Sequence, residues 1–163
     1  MIAQVMKVLG IDPGLATVGI GIVESDPIKI IDYCTIETDK GLTLPQRLLE
    51  IADDLAEIVR EHKPDLAVVE KLFFQTNRKT AIDVAEARGV ILVTLEEAGV
   101  SILEPTPLQI KSAITGDGRA DKKQIQDMLK RMFNEDCASD DAADALAMAV
   151  YGSLHAKEVS LVS

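Results

Sequence analysis

The sequence predicts an α/β layered fold: a five-stranded mixed sheet, an antiparallel meander continued by parallel strands, flanked by helices. Two observations carry this expectation. Three β-rich runs come first, Val5 to Ile11, Thr17 to Glu24 and Ile28 to Thr38, parted by turn signals at Pro13-Gly14 and Asp26-Pro27. Short apolar runs then alternate with stretches of helical periodicity, the pattern of parallel strands joined by helical crossovers.

Taken in order, the first helix has Leu48, Ile51, Leu55, Ile58 and Val59 on one side, with Thr43 and Gln46 spaced as a capping box at its start. It should stop near His62, because the residue before Pro64 is pushed out of the helical region. Asp65 to Glu70 (DLAVVE) is short, apolar and β-branched, as a strand buried on both faces should be. A helix from about Arg78 to Ala98 follows, and its apolar residues Ile82, Val84, Ala85, Ala87, Val90, Ile91, Leu92 and Leu95 spread beyond one stripe. Such a helix is either buried among elements of its own chain or used in a two-fold contact between copies, with Gly89 permitting close approach and Ile91 or Leu92 at the contact. Val100 to Leu103 forms another short strand. The last third reads as helices: one opened by Thr106 and Pro107, one carrying Ile125, Met128, Leu129 and Met132, and one from about Ser139 onward.

With 163 residues and 47% hydrophobic content, residues 1–163 are expected to form one domain. No apolar stretch is long enough to span a bilayer, and the first residues run straight into strand-like sequence, so a cytoplasmic protein with no membrane partner is expected. Cys34 and Cys137 lack CxxC spacing and suggest neither zinc nor a disulfide framework, with Cys137 read as a spectator thiol. A net charge of −10 opposes binding to a polyanion, yet residues 107 to 131 carry Lys111, Arg119, Lys122, Lys123, Lys130 and Arg131 against Asp117, Asp121 and Asp127. Binding of nucleic acid there should depend strongly on salt and divalent cations.

Read alone, Asp12 is a turn aspartate before Pro13-Gly14. Glu70 ends the next buried-type strand, and if that strand lies parallel beside the first, both acids project from one edge of the sheet. In SDDAADALAMAV, from Ser139, Asp141 and Asp144 are three apart and share a helix face. Acids in a first helical turn also complement the macrodipole, with Ser139 as a natural N-cap, and Asp140 is a second candidate for either role. Together these acids offer oxygen ligands suited to Mg²⁺ or Mn²⁺, and two such ions could support in-line phosphodiester hydrolysis. Only two histidines exist, His62 and His155, neither near a candidate nucleophile, which speaks against a histidine-based triad; His62 is expected on the surface.

The stretches LGIDPG from Leu9, AVVEKLFF from Ala67, ARGV from Ala87 and DAADALA from Asp141 resemble, in order and spacing, the successive motifs of the RuvC-type Holliday-junction resolvases. The resemblance implies an RNase H-like domain and a homodimer that makes paired nicks in four-way DNA junctions during recombination and repair, in company with a branch-migration helicase. It implies hydrolysis dependent on Mg²⁺ or Mn²⁺, two ions per site, with Asp12, Glu70, Asp141 and Asp144 as catalytic acids and metal ligands. Asp140 leaves open which neighbour faces the metal. Phe73 and Phe74 stand out where only 3% of residues are aromatic; a Phe pair at a strand end can plug the core, and the resemblance makes Phe73 a wedge that stacks on a base at the junction centre. It likewise makes Lys111 and Lys122 DNA-binding residues near the scissile phosphate. Another RNase H-like nuclease acting on RNA or other DNA structures would share the acids. An actin or sugar-kinase type of ATPase also begins with a strand, an Asp and glycines, but needs a second lobe and a second Gly-rich loop that are not recognisable here.

Overall fold

The computed structural model describes residues 4–72, 78–136 and 139–159, the side chains at 157 and 159 apart. Along the chain run β1 (Lys7–Asp12), β2 (Thr17–Ser25), β3 (Ile28–Glu37), α1 (Leu44–His62), β4 (Leu66–Val69), α2 (Arg78–Glu97), β5 (Ser101–Leu103), α3 (Pro107–Thr115), α4 (Lys122–Phe133) and α5 (Asp140–Val159). Every element expected from the sequence is present, with ends shifted by a residue or two. Phe73, Phe74 and Cys137 lie outside the described residues.

The strands form one sheet in the order β3-β2-β1-β4-β5. β1 pairs antiparallel with β2, and β2 with β3, while β4 runs parallel to both β1 and β5. Alternation of side chains across the sheet divides the core in two. Leu9, Ile11, Ile20, Ile22, Ala67 and Val69 pack against Ile51 and Leu55 of α1 and Ile91 and Leu95 of α2. Val8, Leu66 and Val68 point to the other face, among Ile110 of α3, Leu129 of α4 and Leu146 and Val150 of α5.

Capping fixes where the helices begin and end. At α1, Thr43 Oγ1 accepts from the Gln46 N–H and Gln46 Oε1 accepts from the Thr43 N–H, and Lys63 closes the helix in the left-handed region at φ 51. The same box opens α3 at Thr106 and α4 at Asp121. His62, expected at the surface, is only 14% exposed, with Nε2 3.5 Å from Asp32 Oδ2. On α2, Ile91 is fully buried in the chain's own core and so is not free for a contact between copies, while Leu92 is partly buried and packs against that core. The large apolar residues that α2 exposes are Ile82 and Val93, 65% and 58% accessible.

Helix α5 lies directly on β1 and β2, because glycines remove the side chains that would hold it off. A Cβ at Gly10 would strike the backbone of Ala145 and Ala149, and one at Gly21 would meet Leu146 N at 2.7 Å. The helix answers with its own small residues, and Ala142, Ala145, Ala149 and Gly152 are all buried.

Candidate active site

Asp12 is the last residue of β1 and continues the face of Val8 and Gly10, the one covered by α5. Glu70 follows the last residue of β4 and continues the face of Leu66 and Val68. Ile11 is in register with Val69, so the two acids stand one step further along adjacent parallel strands, at the carboxyl edge where open α/β sheets bind ligands. Both are half-buried.

The third corner is the start of α5. Ser139 Oγ accepts from the Ala142 N–H, which opens the helix with Asp140 and Asp141 in its first turn. Gly19 pairs with Asp12 across β2, and a Cβ at Gly19 would collide with the Asp141 carbonyl and lie 3.2 Å from Asp12 Cβ. That missing side chain brings the Asp141 turn against the Asp12 edge. Asp144, three residues on, occupies the same side of the helix.

These acids disfavour each other's charge. Burial, then the charges of Asp144, Asp141 and Glu70, push the Asp12 carboxyl up to about 7, against a smaller downward pull from Lys122. Glu70 is raised by burial and by Asp144, with Lys111 pulling it down. Burial also raises Asp144; Lys122 opposes this, and Asp140 and Asp141 add to it. Asp140 has a different environment: it is 73% exposed, lies 3.5 Å from Lys122 Nζ and accepts from Gln126 Nε2 at 3.0 Å.

Both predicted lysines stand beside the acids. Lys122, at the start of α4, donates to Asp144 Oδ2 at 3.3 Å, and its ammonium is held above its ordinary pKa: desolvation lowers it, and Asp144 with Asp140 more than offsets that. Lys111 on α3 is half-buried and acts on Glu70. Among the described residues, no three acids are drawn closely enough around one point to hold an ion as they stand. The donor set nonetheless fits a hard cation, being carboxylate throughout, with Asp12, Glu70 and Asp144 raised first by burial and then by neighbouring carboxylates. What the sequence did not disclose is the trough of Gly10, Gly19 and Gly21, and the use of Arg88 within the ARGV stretch. Glycines in a strand signal a close approach only once the approaching element is known.

Over residues 8–152 the chain matches the family described as crossover junction endodeoxyribonuclease RuvC. It is 48% identical over 159 residues to the crossover junction endodeoxyribonuclease RuvC of Caldicellulosiruptor saccharolyticus, covering 94% of this chain and 96% of that protein. Its counterpart from Syntrophomonas wolfei is 48% identical over 149 residues, covering 89% and 87%. Among solved structures, Thermus thermophilus RuvC in complex with Holliday junction substrate matches with a TM-score of 0.86 and 29% identity, over 95% of this chain and 97% of that one. The mixed sheet between helical layers is thus the RNase H-like fold that the motifs implied. Matched over nearly its whole length in sequence and in structure, the chain belongs to the RuvC family of crossover junction endodeoxyribonucleases.

Proposed function

We propose that this chain is an endodeoxyribonuclease that resolves four-way DNA junctions as a homodimer, with Asp12, Glu70, Asp141 and Asp144 holding two Mg²⁺ or Mn²⁺ ions. One observation carries this: in a chain of the RuvC family, Asp12 and Glu70 end adjacent parallel strands and the Asp141 turn of α5 packs against the same edge, where burial and the other acids push Asp12 up to about 7. A cluster that disfavours its own ionisation in this way is stabilised by a cation. When bound, Mg²⁺ or Mn²⁺ supplies Lewis-acid stabilisation of the charge that develops on the scissile phosphate, and a water nucleophile at neutral pH.

Asp141, not Asp140, is assigned to the site, because Asp141 is among the charges acting on Asp12 and Asp140 is not. Lys111 and Lys122 bring positive charge to the two ends of the acid cluster, where a phosphodiester would otherwise be repelled. Phe73 is retained as the residue that stacks at the junction centre. For the dimer, the support is the exposed Ile82 and Val93 on α2, with open space over Gly89 between them. Two sites related by a two-fold axis suit symmetric nicking of a junction. Action alongside a branch-migration helicase, in the cytoplasm, follows from the same assignment; no helix among the described residues is long and apolar enough to cross a membrane.

The test is incubation with four-way, duplex and single-stranded DNA and with structured RNA, with and without Mg²⁺. Paired nicks in the four-way substrate alone, appearing only with Mg²⁺, are expected. Cleavage of RNA with the junction left intact would instead identify another RNase H-like nuclease.

A further inference from the structure

The end of β4 is held in a way that its ladder does not explain. β5 stops at Leu103, in register with Val68, so Glu70 lies beyond the last pair of the parallel ladder. Yet the peptide unit joining Glu70 to Lys71 is bonded at both polar atoms. Its N–H, from Lys71, donates to the Pro105 carbonyl at 2.8 Å. Its carbonyl, from Glu70, accepts from Arg88 Nε at 3.0 Å. Arg88 reaches across from α2 and is itself fixed, with Nη2 donating to Glu104 Oε1 and only 14% of the side chain exposed.

A peptide plane bonded at both polar atoms is restrained in its flanking torsions, which restrains the direction in which the Glu70 Cα–Cβ bond leaves the backbone. Arg88 does this through the backbone. Its charge is matched by Glu104, and the cation acting on the Glu70 carboxylate is Lys111. We propose that Arg88 is a positioning residue: by clamping the Glu70 carbonyl, with Glu104 orienting its guanidinium, it holds the Glu70 carboxylate where a divalent cation can use it. This rests on the assignment of Glu70 as a metal ligand.

The experiment compares the full-length parent with Arg88→Ala, Arg88→Lys and Glu104→Gln. Three quantities are read: the Mg²⁺ concentration that half-saturates the site, fitted from the dependence of melting temperature on Mg²⁺, single-turnover cleavage of a four-way junction, and junction binding without metal. Arg88→Ala should raise the half-saturating Mg²⁺ by about tenfold to a hundredfold, the usual scale when a ligand loses its orienting partner. Cleavage should fall in parallel, with metal-free junction binding within about twofold of the parent. Arg88→Lys, which keeps the charge and a donor but not the planar fork, should show much of that loss, and Glu104→Gln, which leaves the Arg88 to Glu70 bond in place, a smaller one. A parent-like half-saturation in Arg88→Ala overturns the proposal, as does loss of junction binding in step with cleavage. Should Arg88→Ala not fold, Arg88→Lys decides on the same two readouts. A parent whose melting ignores Mg²⁺ would remove the ligand assignment of Glu70 itself; a responsive parent with an equally responsive Arg88 variant removes only the clamp.

Discussion

Asp140 and Asp141 are the same side chain on neighbouring residues, and one helical step of about 100° gives them different neighbours. Asp140 is largely exposed and tied to Gln126 and Lys122 of α4, whereas Asp141 is half-buried and its charge acts on Asp12. Asp141→Asn is therefore expected to lower single-turnover cleavage by about a hundredfold or more, the scale of losing one preorganised group at a reacting phosphate, with junction binding preserved. Asp140→Asn should cleave within about threefold of the parent, since it removes only an exposed ion pair. The opposite ranking would mean that the wrong acid has been placed in the site. The positions of Asp12, Glu70 and Asp144 were legible in the sequence, because each sits at a defined strand end or helix spacing. It could not separate Asp140 from Asp141, because helix starts read from sequence are uncertain by a residue or two, and one residue is the whole difference here. Lys122 bridges Asp140 and Asp144. Its replacement by alanine should lower cleavage more than binding, measured on the same junction; a purely positioning lysine would show the reverse.

At the scale of elements, the site depends on how close α5 comes to the sheet. Gly19→Ala would set a methyl against the Asp141 carbonyl, with Asp12 Cβ also close and no flexible side-chain end to yield. We expect about 1–3 kcal/mol of destabilisation in urea unfolding, together with a loss of cleavage out of proportion to it, because the displaced turn carries Asp141. Gly89→Ala is the contrast: nothing lies within 4 Å of the added methyl. It should stabilise the isolated fold by about 0.5–1 kcal/mol through helix propensity, while weakening self-association if protomers meet there. Element order, caps and stops were legible in the sequence because Thr43 with Gln46, Thr106 with Pro107, and Pro64 each act on their immediate neighbours. The glycine trough was not, since Gly10, Gly19 and Gly21 acquire meaning only from a helix more than a hundred residues later. The inward face of α2 was hidden for a related reason: its apolar residues pack on α1 and the sheet from more than one side, so periodicity alone did not separate core Ile91 from exposed Val93.

For the whole molecule, self-association and charge decide what can be measured. Val93→Glu places a charge on the exposed stripe without touching the core, and sedimentation should move from about twice the chain mass of 17.6 kDa towards the single chain. A parent already monomeric at working concentration would remove the dimer. The acid cluster makes a second prediction about the molecule as a whole, through its dependence on pH. Asp12 has a folded pKa of about 7 against 3.8 for the free group, so between those values the folded chain keeps a proton that the unfolded chain has released. Its contribution to stability is fully present below about pH 4, falls as pH rises through 7, and is gone above that. A rise from 3.8 to about 7 corresponds to roughly 4 kcal/mol at about 1.36 kcal/mol per pKa step, an upper bound because solvent reaches the half-buried group and the repulsion is shared with Asp144, Asp141 and Glu70. Asp12→Asn keeps the shape and removes the charge. Without metal it should match the parent near pH 4 and melt higher at pH 8, by up to about 16 °C at the usual 2–4 °C per kcal/mol for a chain of this size. Mg²⁺ should then raise the parent's melting temperature at pH 8 in proportion to the logarithm of its concentration, and that of Asp12→Asn much less, because the variant has lost both the repulsion and a ligand. If the metal-free variant melts no higher than the parent at pH 8 and responds equally to Mg²⁺, Asp12 is the turn aspartate that its sequence context first suggests, and the cation site is not at this edge.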